Sequence, residues 1–351
     1  MSAPVIRCRE LTKRFDSVLA VDSVDLEIWP GEVIAILGQS GCGKTTLLRL
    51  IAGLETPSEG FVEIEGEEAT SPEYVRPPEQ RGLGMVVQEY ALFPHMTAVS
   101  NVSFGLRGLD GHSRDARVDE VLGLVHLKEL GGRYPYELSG GQQQRIALAR
   151  TLAPSPVTVL LDEPFSNLDS SMRQLLRQEV EAILRSQRTS AVLVTHDREE
   201  AFAIADRVGV MIDGRLLQID TPERIYHFPA SQEVAQLTGP CDFIPGHVVG
   251  DGKVDTGIGT LGCRLTTDKL PAGDEAEVLI RPDDLEVIPD ADGQGTVVAR
   301  EFRGDQVILS VQLNSGETIR VRRRSFSTLP AGSRVRVSTV KTIPFAAFPA
   351  L

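Results

Sequence analysis

Cysteine, aromatic residues and long apolar runs are all scarce in this sequence, and each shortage excludes a class of protein. The 351 residues include four cysteines: Cys8, Cys42, Cys241 and Cys263. None forms a C-x-x-C pair and their spacing fits no zinc site, which indicates free thiols in a reducing compartment. No apolar run approaches the roughly 18 residues of a membrane helix, and the first residues lack a signal-peptide stretch. We therefore expect a soluble protein that reaches a membrane only through a partner.

Positive charge is also in short supply. The formal net charge is -13, which argues against a broad nucleic-acid-binding face, because such a face needs a basic stripe. Phe302 and Phe326 are the only aromatic residues between positions 250 and 340, so this region lacks a stacking platform for single strands. We expect no nucleic acid among the partners.

The chain is long enough for two domains, and its pattern changes near residue 230. Short apolar runs alternate with helical patterns in the first part, which predicts an α/β domain with a largely parallel sheet. The predicted strands are residues 31–37, 84–88, 157–161, 191–195 and 208–212.

The second part has short β-type runs separated by turn residues, which predicts a small all-β domain of the OB-like kind. Residues 221–228, TPERIYHF, are expected to form the last helix. Asp213-Gly214 and Asn314-Ser315-Gly316 are predicted hairpin turns. We place the domains at residues 1–239 and 240–351.

Residues 38–45, GQSGCGKT, match the full phosphate-loop pattern G-x-x-x-x-G-K-[ST] between a predicted strand and a predicted helix. Glycines let successive backbone N–H groups face phosphates, and the helix N-terminus adds positive potential. Lys44 is expected to reach the β- and γ-phosphates, and Thr45 to offer a hydroxyl to Mg²⁺. The alternative is a glycine-rich turn without a ligand. The predicted nucleotide-binding residues here are Gly38, Gln39, Ser40, Gly41, Cys42, Gly43, Lys44, Thr45 and Thr46.

Residues 158–164, TVLLDEP, place two carboxylates at the end of an apolar strand. We expect Asp162 to hold the metal, and Glu163 to accept the proton of an attacking water. The alternative is an ordinary acidic strand end.

Residues 138–145, LSGGQQQR, form a second glycine-rich helix start. Ser139, Gly140, Gly141 and Gln142 begin this helix and are predicted to bind phosphate. One nucleotide does not need two such cradles in one chain, whereas two chains facing head to tail would each complete the other's site. The alternative is a simple helix cap with Ser139 as N-cap.

Together these motifs resemble the ATPases of ATP-binding-cassette (ABC) transporters, over residues 5–239. The resemblance implies that Gln88 contacts the metal and water site, and that Asp169 in SNLD lies at the dimer interface. It also implies that His196 contacts the γ-phosphate and that Phe15 stacks on adenine; a lone loop histidine and a core aromatic are the alternatives. ATP and Mg²⁺ are the implied ligands, and a second copy of the chain is an implied partner. Cys42 lies inside the phosphate loop, two residues before Lys44, and is expected to be the most reactive of the four thiols in the nucleotide-free protein, because a helix N-terminus and the charge of Lys44 favour the thiolate.

One cassette followed by a β domain resembles the ATPases of binding-protein-dependent importers, whose C-terminal part is called the TOBE region. RPDDLEV (281–287) resembles a recurrent segment of that region. The implied partners are integral membrane permease subunits and, indirectly, a periplasmic or extracellular solute-binding protein, with this chain peripheral on the cytoplasmic membrane face. Residues 88–106, 163–169 and 195–201 look most like those of ferric-iron uptake ATPases, which favours ferric iron as cargo. Polyamines, sugars, sulfate and other anions stay open as alternatives. The rival function is a soluble ABC ATPase acting on nucleic acid or ribosomes.

Overall fold

The computed structural model divides into two compact units, residues 1–222 and 223–351. The sequence analysis placed the boundary between residues 239 and 240. In the structure, the two helices that precede residue 239 group with the β domain. Each unit is described by itself. The structure describes residues 3–106, 108–166, 170–265 and 271–350.

The first unit contains ten strands and six helices among its described residues. The strands are β1 (Ile6–Phe15), β2 (Val18–Ile28), β3 (Val33–Leu37), β4 (Glu59–Ile64), β5 (Glu67–Thr70), β6 (Leu83–Val86), β7 (Thr158–Asp162), β8 (Ser190–Thr195), β9 (Arg207–Ile212) and β10 (Arg215–Asp220). The helices are α1 (Lys44–Ala52), α2 (Ala98–Ser103), α3 (Gly111–Leu124), α4 (Gly140–Leu152), α5 (Ser170–Gln187) and α6 (Arg198–Ile204), with short 3₁₀ turns at Pro78–Gln80, Lys128–Leu130 and Pro135–Glu137.

A six-stranded sheet forms the centre of this unit, in the order β10-β9-β3-β8-β7-β6. The strands from β9 to β6 are parallel, and β10 pairs antiparallel with β9 at one edge. Every residue of β3, β7 and β8 is buried, as expected for parallel strands covered on both faces. The predicted α/β core is confirmed, and all five predicted strands are present with ends shifted by up to two residues.

A second, antiparallel sheet of the first unit has the order β2-β1-β4-β5 and was not predicted. Its strands mix buried apolar residues with exposed charged ones, so no continuous apolar run marks them. The hairpin between β9 and β10 was predicted: Asp213 and Gly214 have φ of 46° and 83°, the left-handed pair of a type I′ turn.

The second unit is almost entirely β. Helix α7 (Pro222–His227) crosses the boundary, and a further helix, α8 (Gln232–Thr238), follows it, so the helix expected to be last is not. Ser231 caps α8, and Val234 and Ala235 bury its inner face. The strands are β11 (Asp242–Gly250), β12 (Lys253–Thr256), β13 (Gly259–Leu265), β14 (Glu275–Ile280), β15 (Leu285–Pro289), β16 (Gly295–Phe302), β17 (Gln306–Leu313), β18 (Thr318–Arg324), β19 (Arg334–Thr339) and β20 (Phe345–Pro349).

These strands form a closed barrel, β11-β12-β13-β20-β14, and a five-stranded sheet, β15-β19-β16-β17-β18. The pairing of β13 with β20 is parallel. The predicted small β-barrel domain is confirmed, as is the hairpin turn at residues 314–316, where Gly316 has φ of 110°. Within the described ranges, no helix combines the length and apolar character needed to cross a bilayer.

Candidate functional site

The glycine-rich loop joins β3, the central strand of the parallel sheet, to the N-terminus of α1. Gly43 has φ of 107°, and a Cβ atom there would lie 2.1 Å from the Ala20 carbonyl oxygen. Only glycine fits this position, because both the backbone conformation and the neighbouring backbone exclude a side chain. The loop therefore presents backbone rather than side chains to the space above α1.

Lys44 is the first residue of α1 and is buried, with 4% of its surface exposed. Its Nζ donates hydrogen bonds of 2.9 Å to the carbonyl oxygens of Gly38 and Gln39. A buried ammonium group held by backbone oxygens places a positive charge inside the loop, where an anionic ligand would be attracted.

Thr45 and Asp162 bring together an oxygen pair at the start of α1. The Thr45 hydroxyl donates a 2.9 Å hydrogen bond to Oδ1 of Asp162, the last residue of β7. Burial raises the pKa of the Asp162 carboxyl, and the Thr45 bond opposes this effect. No group of three or more His, Cys, Asp or Glu side chains suited to a metal occurs among the described residues. The Thr45–Asp162 oxygen pair fits Mg²⁺, because this ion binds few protein oxygens and takes its other ligands from phosphates and water.

Glu163 follows Asp162 and meets His196, which follows β8. Nδ1 of His196 lies 3.2 Å from Oε2 of Glu163, and the Glu163 amide donates a 3.0 Å bond to the Val194 carbonyl. Glu163 has φ of 43°, a left-handed conformation that a non-glycine residue adopts at a cost. This conformation turns the carboxylate of Glu163 away from the direction that β7 would otherwise impose.

Gln88 lies in a turn two residues beyond the end of β6. Its Nε2 is 3.5 Å from the Ser166 hydroxyl oxygen, at the limit of hydrogen bonding, and Ser166 donates to the Glu163 carbonyl. Gln88 therefore stands beside the acidic strand end.

A cavity of about 580 Å³ lies over the loop. Its lining unites most of the predicted nucleotide site: Ser40, Gly41, Gly43, Lys44, Thr45, Thr46, Gln88 and Glu163. Five lining residues were not predicted: Val18, Leu19, Ala20, Asp213 and Gly214. The last two belong to the β9–β10 hairpin, whose Gly214 amide donates to the Cys42 carbonyl at 3.0 Å. The Asp-Gly turn signal was visible in the sequence, but nothing local connects it with the loop.

Phe15 lies at the end of β1, outside this lining. Its backbone pairs with Val18, which does line the cavity, and Lys13 Nζ sits 4.7 Å from its ring centroid. The ring is 41% exposed. Stacking of Phe15 on adenine stays a prediction.

The expectation for Cys42 is wrong. The Cys42 side chain is 9% exposed, packs in the core of the first unit with Met211, and does not line the cavity. Burial raises the pKa of the Cys42 thiol, and the positive charge of Lys44, with Nζ 4.0 Å from Sγ, only opposes that effect. Residue 42 thus contributes backbone to the loop, not a reactive thiol.

The second glycine-rich segment begins α4 with a capping box. The Gln142 amide donates to the Ser139 hydroxyl oxygen at 3.4 Å, and the Ser139 amide donates to Gln142 Oε1 at 2.9 Å. Gly140 is exposed, whereas a Cβ at Gly141 would lie 2.9 Å from Leu176 Cδ1 of α5. These residues do not line the cavity of their own chain. The helix cap is present, and phosphate binding to a second copy stays a prediction. Asp169 lies outside the described residues.

Comparisons with known proteins agree on one family. A model described as "ABC transporter" matches residues 21–166, and a model of the TOBE domain matches residues 278–340. The spermidine/putrescine import ATP-binding protein PotA of Nitratidesulfovibrio vulgaris is 40% identical, over 90% of this chain and 88% of its own.

Relatives named for other cargo match to a similar degree. A sulfate/thiosulfate import ATP-binding protein of Chromobacterium violaceum is 44% identical over 83% of this chain and 78% of its own. An Fe(3+) ions import ATP-binding protein of Haemophilus influenzae is 36% identical over 89% of this chain and 88% of its own. Ferric iron, the cargo expected from the resemblance to ferric-iron uptake ATPases, is therefore not favoured over the other cargo classes.

Two solved structures each resemble somewhat less than two thirds of the chain. An ATP-binding cassette protein solved as a dimer in a post-hydrolysis state, bound to ADP and Pi, has a TM-score of 0.55 and 32% identity. It covers 62% of this chain and 98% of its own length. The protein cbiO1 of Clostridium perfringens, part of an ABC transporter complex, has a TM-score of 0.60 and 26% identity, covering 64% of this chain and 91% of its own.

Proposed function

Since this chain belongs to the ABC transporter family, as an ATP-hydrolysing importer subunit with a TOBE domain, we propose how its site works and what it helps to carry. The observation that supports the site is the cavity of about 580 Å³, which brings the loop, Gln88 and Glu163 together. The pairs Thr45–Asp162 and Glu163–His196 supply a metal site and a base beside it.

In this proposal, the loop amides from Ser40 to Thr46 and the Lys44 ammonium group hold the phosphates of ATP. Thr45, Asp162 and Gln88 would hold Mg²⁺, which would offset the negative charge of the nucleotide phosphates. Glu163 accepts the proton of the attacking water, and His196 fixes the Glu163 carboxylate and contacts the γ-phosphate. Val18, Leu19 and Ala20, with Phe15 beyond them, form the side of the site that suits the adenine ring.

We further propose that two copies close head to tail around two ATP molecules. Ser139, Gly140, Gly141 and Gln142 then face the γ-phosphate of the other copy, with Asp169 at the same interface. The dimeric state of the solved relative bound to ADP and Pi supports this arrangement. The exposed start of α4, which lies outside its own chain's cavity, is consistent with a role toward a second copy.

The proposed location is the cytoplasmic face of the cell membrane, where the chain would bind permease subunits that receive cargo from a solute-binding protein. We propose a polyamine as the cargo class, because several relatives of about 40% identity are named for spermidine/putrescine import. Cargo selection in this scheme belongs to the other subunits, so this chain's own site does not contact it.

Two measurements test the proposal. Affinity purification of the chain from its own membranes should recover an integral membrane permease; recovery of ribosomes or nucleic acid instead would contradict it. Uptake of labelled spermidine, ferric iron and sulfate should then be compared in cells that carry wild type or Glu163→Gln as the sole copy. Loss of spermidine uptake alone is expected, and loss of another cargo would correct the cargo class while leaving the ATPase assignment intact.

A further inference from the structure

The loop that carries His196 is held on both sides by one buried hydroxyl group. Thr195, the last residue of β8, is 1% exposed. Its Oγ1 donates a 2.5 Å hydrogen bond to Oε2 of Glu200 and accepts one of 3.0 Å from the Asp197 amide. The backbone immediately before and after His196 is therefore fixed to a carboxylate in the first turn of α6.

Glu200 is an unusual residue for this place. It is 3% exposed, and burial raises the pKa of its carboxyl. A buried carboxylate costs free energy unless it is well paired, and an apolar side chain of similar size would often fill such a position more favourably. Packing alone would therefore favour an apolar side chain at position 200. The mechanism proposed above does not use Glu200 either, so another role has to account for this residue.

Arg173 of α5 completes the arrangement. Its NH1 lies 3.4 Å from Oδ2 of Asp197, and its Nε lies 3.8 Å from Oε1 of Glu200. The other carboxylate oxygen of Asp197 caps α6 by accepting from the Glu199 amide at 2.8 Å. Both acidic residues that flank the His196 loop are thus tied to α5.

Helix α5 also contacts the glycine-rich start of α4. The Gly141 backbone packs so closely on Leu176 that a Cβ would lie 2.9 Å from its Cδ1. Arg145 of α4 forms a 2.6 Å ion pair with Glu179 of α5. One helix therefore contacts the segment predicted to face the second copy and, through Arg173, the loop that carries His196.

We propose that Glu200, held by Arg173, is a positioning residue for His196. Through Thr195, it fixes the loop so that Nδ1 of His196 stays within hydrogen-bond distance of Glu163. Because α5 also packs on α4, movement at the start of α4 would reach His196 by this route. This inference rests on the proposed role of His196 in hydrolysis.

The test uses the full-length chain and measures kcat, KM and the affinity for a fluorescent ATP analogue. Glu200→Ala and Thr195→Val remove the hydrogen bond and should lower kcat by about 10- to 100-fold, the usual cost of misplacing a catalytic group by about 1 Å. Affinity for the analogue should change less than about twofold, because neither residue lines the cavity. Glu200→Gln and Thr195→Ser keep the acceptor and the donor, and should restore most of the rate.

A matched control lies on the same helix. Arg185 lies near the end of α5, whereas Arg173 lies near its start, and Arg185 forms a 2.8 Å ion pair with Asp206. Arg185→Met removes a similar contact and should leave kcat within about twofold of wild type, since partly exposed ion pairs contribute little. An equal loss in this control would show a general effect of disturbing α5 and would overturn the proposal.

A double-mutant cycle decides whether Glu200 acts through His196. Once His196→Ala has removed the histidine, adding Glu200→Ala or Thr195→Val should lower kcat no further. Fully multiplied losses, or a normal kcat in Thr195→Val, would overturn the inference. If His196→Ala itself has normal turnover, the proposed role of His196 fails, which is a different and separately visible result. Should Glu200→Ala not fold, Thr195→Val alone gives the decision.

Discussion

The carboxylate of Glu163 and the imidazole of His196 meet at 3.2 Å although they follow different strands of the sheet. β7 and β8 are parallel neighbours, so the residues just beyond their ends emerge at the same edge. The left-handed backbone of Glu163 then directs its side chain toward the histidine. Adjacent strand ends thus bring together the proposed base and the group proposed to orient it.

Replacing Glu163 by Gln should slow ATP hydrolysis by about 10²- to 10⁴-fold, the usual contribution of a positioned general base. ATP binding should persist, because the loop and Lys44 are unchanged, and an ATP-bound dimer should accumulate on size-exclusion chromatography. Glu199→Gln is the matched control, an exposed glutamate three positions after His196 whose side chain has no described role. Turnover near the wild-type rate in Glu163→Gln would remove this residue from the base role.

Asp162→Asn should make the nucleotide-free protein more stable at pH 7 while weakening its stabilisation by ATP and Mg²⁺. Burial raises the pKa of Asp162, so the folded protein binds this proton more tightly than the unfolded chain does. The associated stability is present below the ordinary value of 3.8 and is lost as the pH rises through the raised pKa. The gain in Tm for the neutral variant should therefore shrink as the pH is lowered.

Asp206→Asn is the matched comparison, because its effect on Tm at pH 7 should have the opposite sign to that of Asp162→Asn. Burial acts to raise the pKa of Asp206, but its bonds from Arg185 and the Val33 amide outweigh this effect and lower it. Its contribution to stability is present above the ordinary carboxyl pKa and lost as the pH falls, so this variant should melt lower at pH 7. If both variants shift Tm in the same direction, burial of Asp162 does not govern its effect.

Maleimide should label Cys241 first in the native protein, because it is the only one of the four thiols that is not buried. Cys42 should react slowly with or without ATP. Burial raises the pKa of Cys8 to about 12 and that of Cys263 to about 11, so both should react only after unfolding. Mass spectrometry of the labelled peptides gives the order, and preferential labelling of Cys42 would show that the loop opens.

A chain ending at Asp220 should give a more soluble ATP-binding fragment than a chain ending at Gly239. Arg281 of the β domain donates to the carbonyl oxygens of Ala235 and Gly239 at 2.9 Å and of Tyr226 at 3.0 Å. The longer fragment keeps α8 but loses these donors and the apolar partners of its inner face. Both should bind ATP; equal solubility of the two fragments would contradict the unit boundary at residue 222.

The parts of the fold that could be predicted are those whose signal is local. Strands β3, β7 and β8 are apolar along their whole length because both faces are covered, so composition alone marks them. β1 and β2 each carry charged residues, and their pairing is visible only in three dimensions.

The candidate site follows the same division. Contiguous motifs identified the loop and the acidic strand end, whereas Val18 and Asp213 reach the cavity from distant parts of the chain. The error over Cys42 has a related cause. Proximity to a helix N-terminus and Lys44 is readable from sequence, but the direction of the side chain into the core is not.

During synthesis, the central strand β3 is made long before β8 and β9, the two strands that pair with it. Val33 pairs with Ala191 of β8, and Ile34 with Arg207 of β9. At 5–20 residues per second, β3 leaves the ribosome roughly 8 to 30 s before β8 can cover it. Until then the edges of this apolar strand are unpaired, and they can pair with other chains and cause aggregation. Gly214, whose amide donates to the Cys42 carbonyl in the nucleotide-binding loop, is synthesised later still. We therefore expect translation rate and chaperone access to limit the yield of active subunit.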